Sequence, residues 1–423
     1  MSSENTLTQP VEPAVNIVDP IHDFVKDGAD IHGERLDTES DPFWSALCDI
    51  GTELWLDTGD IDGATPLWTD EFTALTTNNT LLNAEVQKGI YDDLIQKTAG
   101  TLYGLDTSTQ IIEIAFVLNA HHGLRLAQRF GGKVSVELHT DLAHDIERSV
   151  SYGHRYYNIC PDAFIIKIPL TPAGLIATRR LRESGVPVNF TLGFSARHNY
   201  IATAFGAPSY VNVFLGRLNA YMVDNQLGDG RLVGEKSALA SQRAVNDLAQ
   251  GTQVPTQQIA ASLRGAGQLA DLAGIDVITM PVKVAAAAKK ELSGEWGYKV
   301  DSDYPIRLND EVSASDLRLH TLWEVAESER RLVESITTDT PQTAEELVIQ
   351  AHDMGAGDLF PRLSTADLDK IASDGKIPKH EIWVERVKSG ELAIDTLLNL
   401  AGLASFAADQ KALDERIRRL IAG

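Results

Sequence analysis

The stretch "FIIKIPLTPAGLIATRRLRESGVPVNFTL", residues 164–192, reads as strand, helix, strand. Its two ends, "FIIKIP" (164–169) and "PVNFTL" (187–192), are rich in the branched and aromatic residues that suit a pleated strand. Between them, apolar residues recur at helical spacing, Thr171-Pro172 opens the helix and Gly185 closes it. Two strands joined by one helix pair in parallel, because an antiparallel pair needs only a short turn. One feature is out of place. Lys167 sits at the centre of the first strand, where a buried ammonium is costly unless it is paired, neutralised or used.

The same alternation extends outward in both directions. Strand-like runs are "ELWLDT" (53–58), "ALTT" (74–77), "VSVEL" (134–138), "YVNVFLG" (210–216), "QQIAASL" (257–263) and "DVITMP" (276–281). With the two above they make eight, each followed by a helix-like segment. The one lysine-bearing glycine pair, "GGKVS" at 131–135, lacks the spacing of a phosphate loop. An α/β fold is therefore expected, a closed (β/α)8 barrel over 51–292 rather than an open doubly wound sheet. A lead-in and helix would fill 1–50, with "MSSENTLTQPVEPAVN" as a loose start that lacks the features of a signal peptide. Residues 293–423 read as a helical extension packed on the barrel, because "SDLRLHTLWEVAESERRLVESI" and "SFAADQKALDERIRRLIAG" are amphipathic with almost no strand signal.

Bulk composition narrows the function classes. Sixty acidic against 37 basic residues give a formal net charge of −23, which argues against nonspecific binding to nucleic acid or an anionic membrane. Two cysteines, Cys48 and Cys160, offer no disulfide framework, so a reducing, cytoplasmic setting is expected. No run approaches the roughly 18 apolar residues of a membrane helix. The histidines at 121, 122, 139, 144 and 154 have no zinc-ligand spacing and are expected on the surface or on helix faces, so no metal is expected.

Side chains alternate along a strand, so Ile165, Lys167 and Pro169 share one face. The same logic brings inward Asp57, Glu137, Asn189 with Thr191, and Asn212 with Phe214. Asn78 follows just past the second strand, while Ser262 and Arg264 end the seventh. Barrel interiors are normally filled with Val, Ile and Leu, and catalysis sits at the carboxyl-terminal rim. Taken singly, a strand lysine is more often an edge residue facing water, and Arg217 or Arg264 would be a surface arginine. Polar groups on nearly every strand end are another matter; together they read as a site. A desolvated amine is more readily neutral and can attack a carbonyl to form a Schiff base, whose protonated form is an electron sink. Nearby carboxylates can move the protons, a task that suits Glu137 and Asp57. Arg217 and Arg264 suit an anionic group such as phosphate.

These residues lie in segments that resemble the transaldolases. "VSVELHTDLAHD" is similar to that family's strand with an acid/base glutamate, and "IIKIPLTPAGLIATRRLRESGVPVNFTLGFS" to its Schiff-base strand, next helix and fifth strand. "VFLGR" and "AASLRGAGQLADLAG" resemble its two arginine segments, "LWLDTGD" and "LTTNNTLL" its first two strand motifs, and "FAADQKALDERI" its terminal helix. The resemblance spans about 51–290 and 400–420, with the motifs in the family's order. It implies a Schiff base on Lys167, a catalytic water held by Thr191 and Glu137, and Asp57 as the second proton carrier. Asn78 and Asn189 would orient hydroxyls of a dihydroxyacetone unit, with Asn212 and Phe214 beside the substrate and Ser262, Arg217 and Arg264 on its phosphate. The implied reaction moves that unit from sedoheptulose 7-phosphate or fructose 6-phosphate to glyceraldehyde 3-phosphate or erythrose 4-phosphate, in the pentose phosphate pathway and without a metal or organic cofactor. Proteins of this kind often form homodimers, a contact the extra helices would create or block.

Three departures bear on the substrate. Asn212 stands where the family usually has serine, His198 where it has glutamine, and Ala196 where it has a bulky residue. The segment 293–395 resembles nothing in the family and would cover the barrel mouth or build an oligomer contact. Two alternatives stay open. A fructose 6-phosphate aldolase-like enzyme would carry glutamine at Glu137 and tyrosine at Phe214. A non-catalytic sugar-phosphate-binding protein would lack the lysine or the carboxylates.

Overall fold

In the computed structural model, which describes residues 18–29, 34–249 and 255–422, eight parallel strands close into a barrel in sequence order. They are β1 (Glu53–Asp57), β2 (Phe72–Thr76), β3 (Lys133–Glu137), β4 (Phe164–Pro169), β5 (Val188–Thr191), β6 (Tyr210–Phe214), β7 (Gln257–Ala261) and β8 (Val277–Pro281). Closure is made by β1 against β8, with Asp57 level with Pro281. The eight expected strands are all present, and their ends shift by no more than a few residues. The expected loose lead-in over the first residues lies outside the described ones.

The 164–192 unit shows why the chain folds this way. The Thr171 hydroxyl accepts the Gly174 N–H at 2.8 Å, capping the helix Pro172–Glu183, and Pro172 occupies a first-turn position where its missing N–H costs nothing. Gly185 then takes φ +83°, a left-handed turn that glycine adopts without a Cβ clash, and the chain re-enters the barrel at β5.

Alternation sorts the strand residues into two cores. Leu54, Leu56, Val136 and Ile166 face the surrounding helices. Trp55, Ala74, Ile165, Tyr210, Ile259, Ala261 and Val277 form a separate apolar plug, with Trp55 and Tyr210 rings in edge contact at 4.7 Å. One pleat further along the same strands stand Asp57, Thr76, Lys167, Asn212 and Thr279. The plug is the floor of the site. It denies water a route from below.

Beyond β8 the chain adds helices at Glu327–Thr338, Ala344–Asp353, Thr365–Asp374 and His380–Ser389, then a terminal helix, Ile394–Ala422. The first two pack on the barrel helices Ala196–Gly206 and Pro172–Glu183; the third packs on the terminal helix, which lies against Asn79–Val86 and Thr107–Phe130. One expectation is corrected here. The amphipathic run from Ser315 is not a single helix: a short 3-10 turn at Leu319–Leu322 precedes the helix, and Arg318 adopts φ +50°. Burial of Leu317, Leu319 and Leu322 breaks the run, since three leucines so spaced are satisfied by a tight turn against the barrel. Among the described residues no helix is long and apolar enough to cross a membrane.

The fold is held to its extension by a buried ion cluster. Arg197 is about 1% exposed and donates to both carboxylate oxygens of Asp395 (2.8 and 2.9 Å), to Asp358 (3.1 Å) and to Glu329 (3.2 Å). Arg318 adds a second cation on Asp358 at 3.0 Å. His198 belongs to this cluster, with Nε2 3.5 Å from Asp395, and burial brings its imidazole down to about 4. It does not line the cavity at the carboxyl ends of the strands, so this residue serves the contact with the extension. The other histidines need correction too. His121 and His122 lie on a helix face but are buried, because helix Thr107–Phe130 is covered on both faces, and the Tyr91 hydroxyl meets His122 Nδ1 at 2.8 Å; His139, after β3, is buried with Nε2 3.2 Å from Asp414 of the terminal helix.

Candidate active site

The carboxyl ends of the strands surround a cavity of about 170 Å³. Lys167 is 4% exposed; its Nζ donates to the Thr77 carbonyl at 3.0 Å and lies 3.9 Å from Glu137 Oε1. The second distance is too long for a hydrogen bond, yet short enough for strong attraction between the charges in a dry environment. The β4–β5 register sets Lys167 beside Asn189, and the β3–β4 register sets it beside Glu137.

Both carboxylates are held above the ordinary range, and burial is the cause. For Glu137 burial outweighs the pull of Lys167 and of the Asn79 N–H, which donates to Oε2 at 3.1 Å. For Asp57 it outweighs Lys167 and the Thr76 hydroxyl, which donates to Oδ1 at 2.8 Å while itself lying 2.7 Å from the Thr279 hydroxyl. A carboxyl of raised proton affinity is suited to general acid–base work.

On the other wall Asn189 donates to Ser135 Oγ at 3.0 Å and accepts from Asn212 Nδ2 at 3.1 Å. This fixes both amides and leaves Asn212 Oδ1 without a partner, as is the Thr191 hydroxyl. Buried polar atoms of this kind call for a ligand or a water. Asn78 caps the helix Asn79–Val86 with its carbonyl, accepting from the Leu81 N–H at 2.9 Å, so only its amide nitrogen is left for a ligand.

The far end of the cavity is cationic. Arg217 lies in the first turn of helix Leu215–Asp224, directly after β6, and Arg264 follows β7. Close approach of the two turns depends on Gly216, where a Cβ would stand 2.1 Å from the Ser262 carbonyl; Ser262 itself takes φ +66°. Arg217 is 6% exposed with Nη1 unpartnered, and burial together with Arg264 pulls it down to about 10 against the opposing pull of Asp409. Arg264 is exposed at the rim.

The structure thus brings Asp57, Asn78, Lys167, Asn189, Thr191 and Asn212 to one cavity, with Phe214, Arg217, Ser262 and Arg264 closing it. Glu137 is set apart. It stands behind Lys167 and lines a second, mainly apolar cavity of about 560 Å³ between the barrel, the added helices and the terminal helix. Among the lining residues not foreseen are two from beyond the barrel. Phe406 of the terminal helix borders both cavities, its ring centroid 5.7 Å from Lys167 Nζ and 5.6 Å from the Arg217 guanidinium. Lys376 reaches the smaller cavity from the 293–395 segment. "FAADQKALDERI" already resembled the family's terminal helix, which marked that segment but not the phenylalanine; nothing local marks Lys376.

Comparison with known proteins agrees with this geometry. The family model described as "Transaldolase/Fructose-6-phosphate aldolase" matches residues 54–303, more than half of the chain. A transaldolase of Xanthomonas euvesicatoria pv. vesicatoria is 29% identical over 233 residues, covering 53% of this chain and 71% of that protein. One from Xanthomonas oryzae pv. oryzae is 30% identical over 234 residues, with 53% and 71% covered. A probable transaldolase of Thermus thermophilus is 34% identical over 211 residues, 47% of this chain and 86% of the relative. With the closed barrel and the polar ring above its apolar plug, these matches establish that the chain belongs to the transaldolase/fructose-6-phosphate aldolase family, (β/α)8 enzymes of transferase or aldolase type.

Proposed function

We propose that the protein is a transaldolase that carries a dihydroxyacetone unit from a ketose phosphate to an aldose phosphate through a Schiff base on Lys167. The observation that carries this reading is the burial of one amine between two carboxylates of raised proton affinity, with two arginines closing the other end of the cavity. The Lys167 nitrogen adds to the ketose C2 carbonyl, giving a carbinolamine. Glu137, with a water held at the unpartnered Thr191 hydroxyl, supplies the proton with which hydroxide leaves as water. Asp57 takes the proton of the C4 hydroxyl as the C3–C4 bond breaks; the bonding pair flows into the iminium, leaving an enamine on Lys167 and a free aldose phosphate. The enamine then adds to the acceptor aldehyde, whose oxygen regains the proton from Asp57, and water releases the new ketose. Arg217 and Arg264 bind phosphate in donor and acceptor alike.

Fructose 6-phosphate aldolase chemistry shares every step up to the enamine. Phe214 offers no hydroxyl with which to handle the water that would release dihydroxyacetone, and this favours transfer. The test is borohydride trapping with fructose 6-phosphate followed by peptide mapping. A dihydroxyacetone-sized adduct on Lys167, lost in Lys167→Ala, is expected. Erythrose 4-phosphate added to unreduced enzyme should then yield transfer rather than free dihydroxyacetone. Absence of an adduct with any ketose phosphate overturns the reading.

A further inference from the structure

We infer that Lys376, carried by the 293–395 segment that resembles nothing in the family, is a third cation of the phosphate end of the cavity and sets the preference for phosphorylated sugars. The inference rests on the phosphate-binding part of the function proposed above. Its ground is how firmly the structure holds the loop that brings this lysine to the same cavity as Arg217.

Lys376 lines the same cavity as Arg217, Ser262 and Arg264. It lies in a short loop between helices Thr365–Asp374 and His380–Ser389. Gly375 begins the loop at φ +78° and ψ −145°, a conformation that a side chain would disfavour. The Asp374 carboxylate then ties the loop to itself, accepting from Lys370 Nζ at 2.8 Å and from the Lys379 N–H at 3.2 Å.

The loop is next fastened to the helix that carries Arg217. Asn225, at the end of helix Leu215–Asp224, donates to the Pro378 carbonyl at 3.0 Å and accepts the His380 N–H at 2.8 Å. The buried Tyr221 hydroxyl meets His380 Nδ1 at 2.7 Å. One helix therefore presents Arg217 at its first turn and grips the Lys376 loop at its last. The backbone that carries Lys376 is thus fixed relative to the helix that carries Arg217.

Charge points the same way. In a chain of net charge −23, Lys376 is exposed and no carboxylate among the described residues pairs with it. Its neighbour Asp374 is already engaged. In the same cavity, Arg217 keeps a buried, unpartnered Nη1. A sugar phosphate carries nearly two negative charges at neutral pH. Three cations match that dianion with charge to spare, whereas an unphosphorylated sugar gains nothing from the third.

The test compares the full-length chain with Lys376→Ala, Lys376→Arg and Arg217→Ala. The readouts are orthophosphate affinity by calorimetry and the ratio of kcat/KM for fructose 6-phosphate to that for fructose. In Lys376→Ala both should fall about tenfold, the loss of one charge-assisted contact, and Lys376→Arg should restore most of it. If Arg217→Ala weakens orthophosphate binding and Lys376→Ala changes neither quantity, the inference is wrong and the phosphate pocket stands. If neither variant weakens orthophosphate binding, the pocket itself fails and takes the inference with it. Lys376 is exposed, so its replacement leaves no buried gap to confuse the outcome.

Discussion

Asp57 is a case where chemistry and stability pull apart. Burial holds its carboxyl above the ordinary range, so the folded chain binds a proton there that the unfolded chain has already released. Stability at this position is therefore fully present at acid pH and is lost as pH rises through the raised value. Asp57→Asn keeps an oxygen for the Thr76 hydroxyl and removes the charge. Its melting temperature should exceed that of the wild type at neutral pH, by the equivalent of about 1 kcal/mol, with the difference vanishing in acid. Activity should fall by roughly 10²–10⁴, the usual worth of a positioned proton carrier, while borohydride still traps substrate on Lys167. A less stable variant, or one that turns over normally, would remove Asp57 from the proton-transfer role.

The terminal helix Ile394–Ala422 matters to the site through one ring. Gly402 lets the helix come close, since a Cβ there would meet Leu192 Cδ2 at 2.9 Å and Arg217 Nη1 at 3.3 Å. One turn later Phe406 stands over both cations and borders the cavity of about 170 Å³ as well as the apolar one of about 560 Å³. In the proposed reaction, an enamine on Lys167 would have two fates, reaction with an aldehyde or protonation and hydrolysis. Removing the ring would join the cavities and admit water beside Glu137. Phe406→Ala should raise the release of free dihydroxyacetone relative to transfer by about tenfold, a modest change in water access on the scale of 1.4 kcal/mol per decade. The ratio can be read by coupled assay with and without erythrose 4-phosphate. An unchanged ratio would show that Phe406 shapes the cavity without sealing it.

At the scale of the whole molecule, the barrel was legible in sequence because alternation is local: one look at "FIIKIP" tells which residues share a face with Lys167. Glu137, Asn189 and Asn212 follow by the same rule, and the closed order β1 to β8 adds nothing that the pattern contradicts. Phe406 and Lys376 obey no such rule. They reach the site from helices and loops far along the chain, where periodicity reports only which face is apolar. Arg197 was invisible for the same reason, since its partners Glu329, Asp358 and Asp395 lie 132, 161 and 198 residues away. That cluster joins barrel and extension through charges buried from solvent. Burial alone would raise Asp395, yet Arg197 and His198 hold it well below the usual carboxylate range. Its contribution is thus present above the ordinary carboxylate value and is lost only as pH falls through the lowered one. Arg197→Met would leave Glu329 and Asp395 without their arginine and Asp358 with Arg318 alone, and should cost about 3–5 kcal/mol at neutral pH, measured by urea unfolding. The deficit should shrink as pH falls, beginning above the ordinary carboxylate value, because burial no longer opposed by Arg197 lets these carboxyls take up protons early. Hydrogen exchange should rise first in helix Glu327–Thr338, whose Glu329 the arginine no longer holds to the barrel. Equal stability of variant and wild type across this range would mean that apolar packing alone joins the two parts.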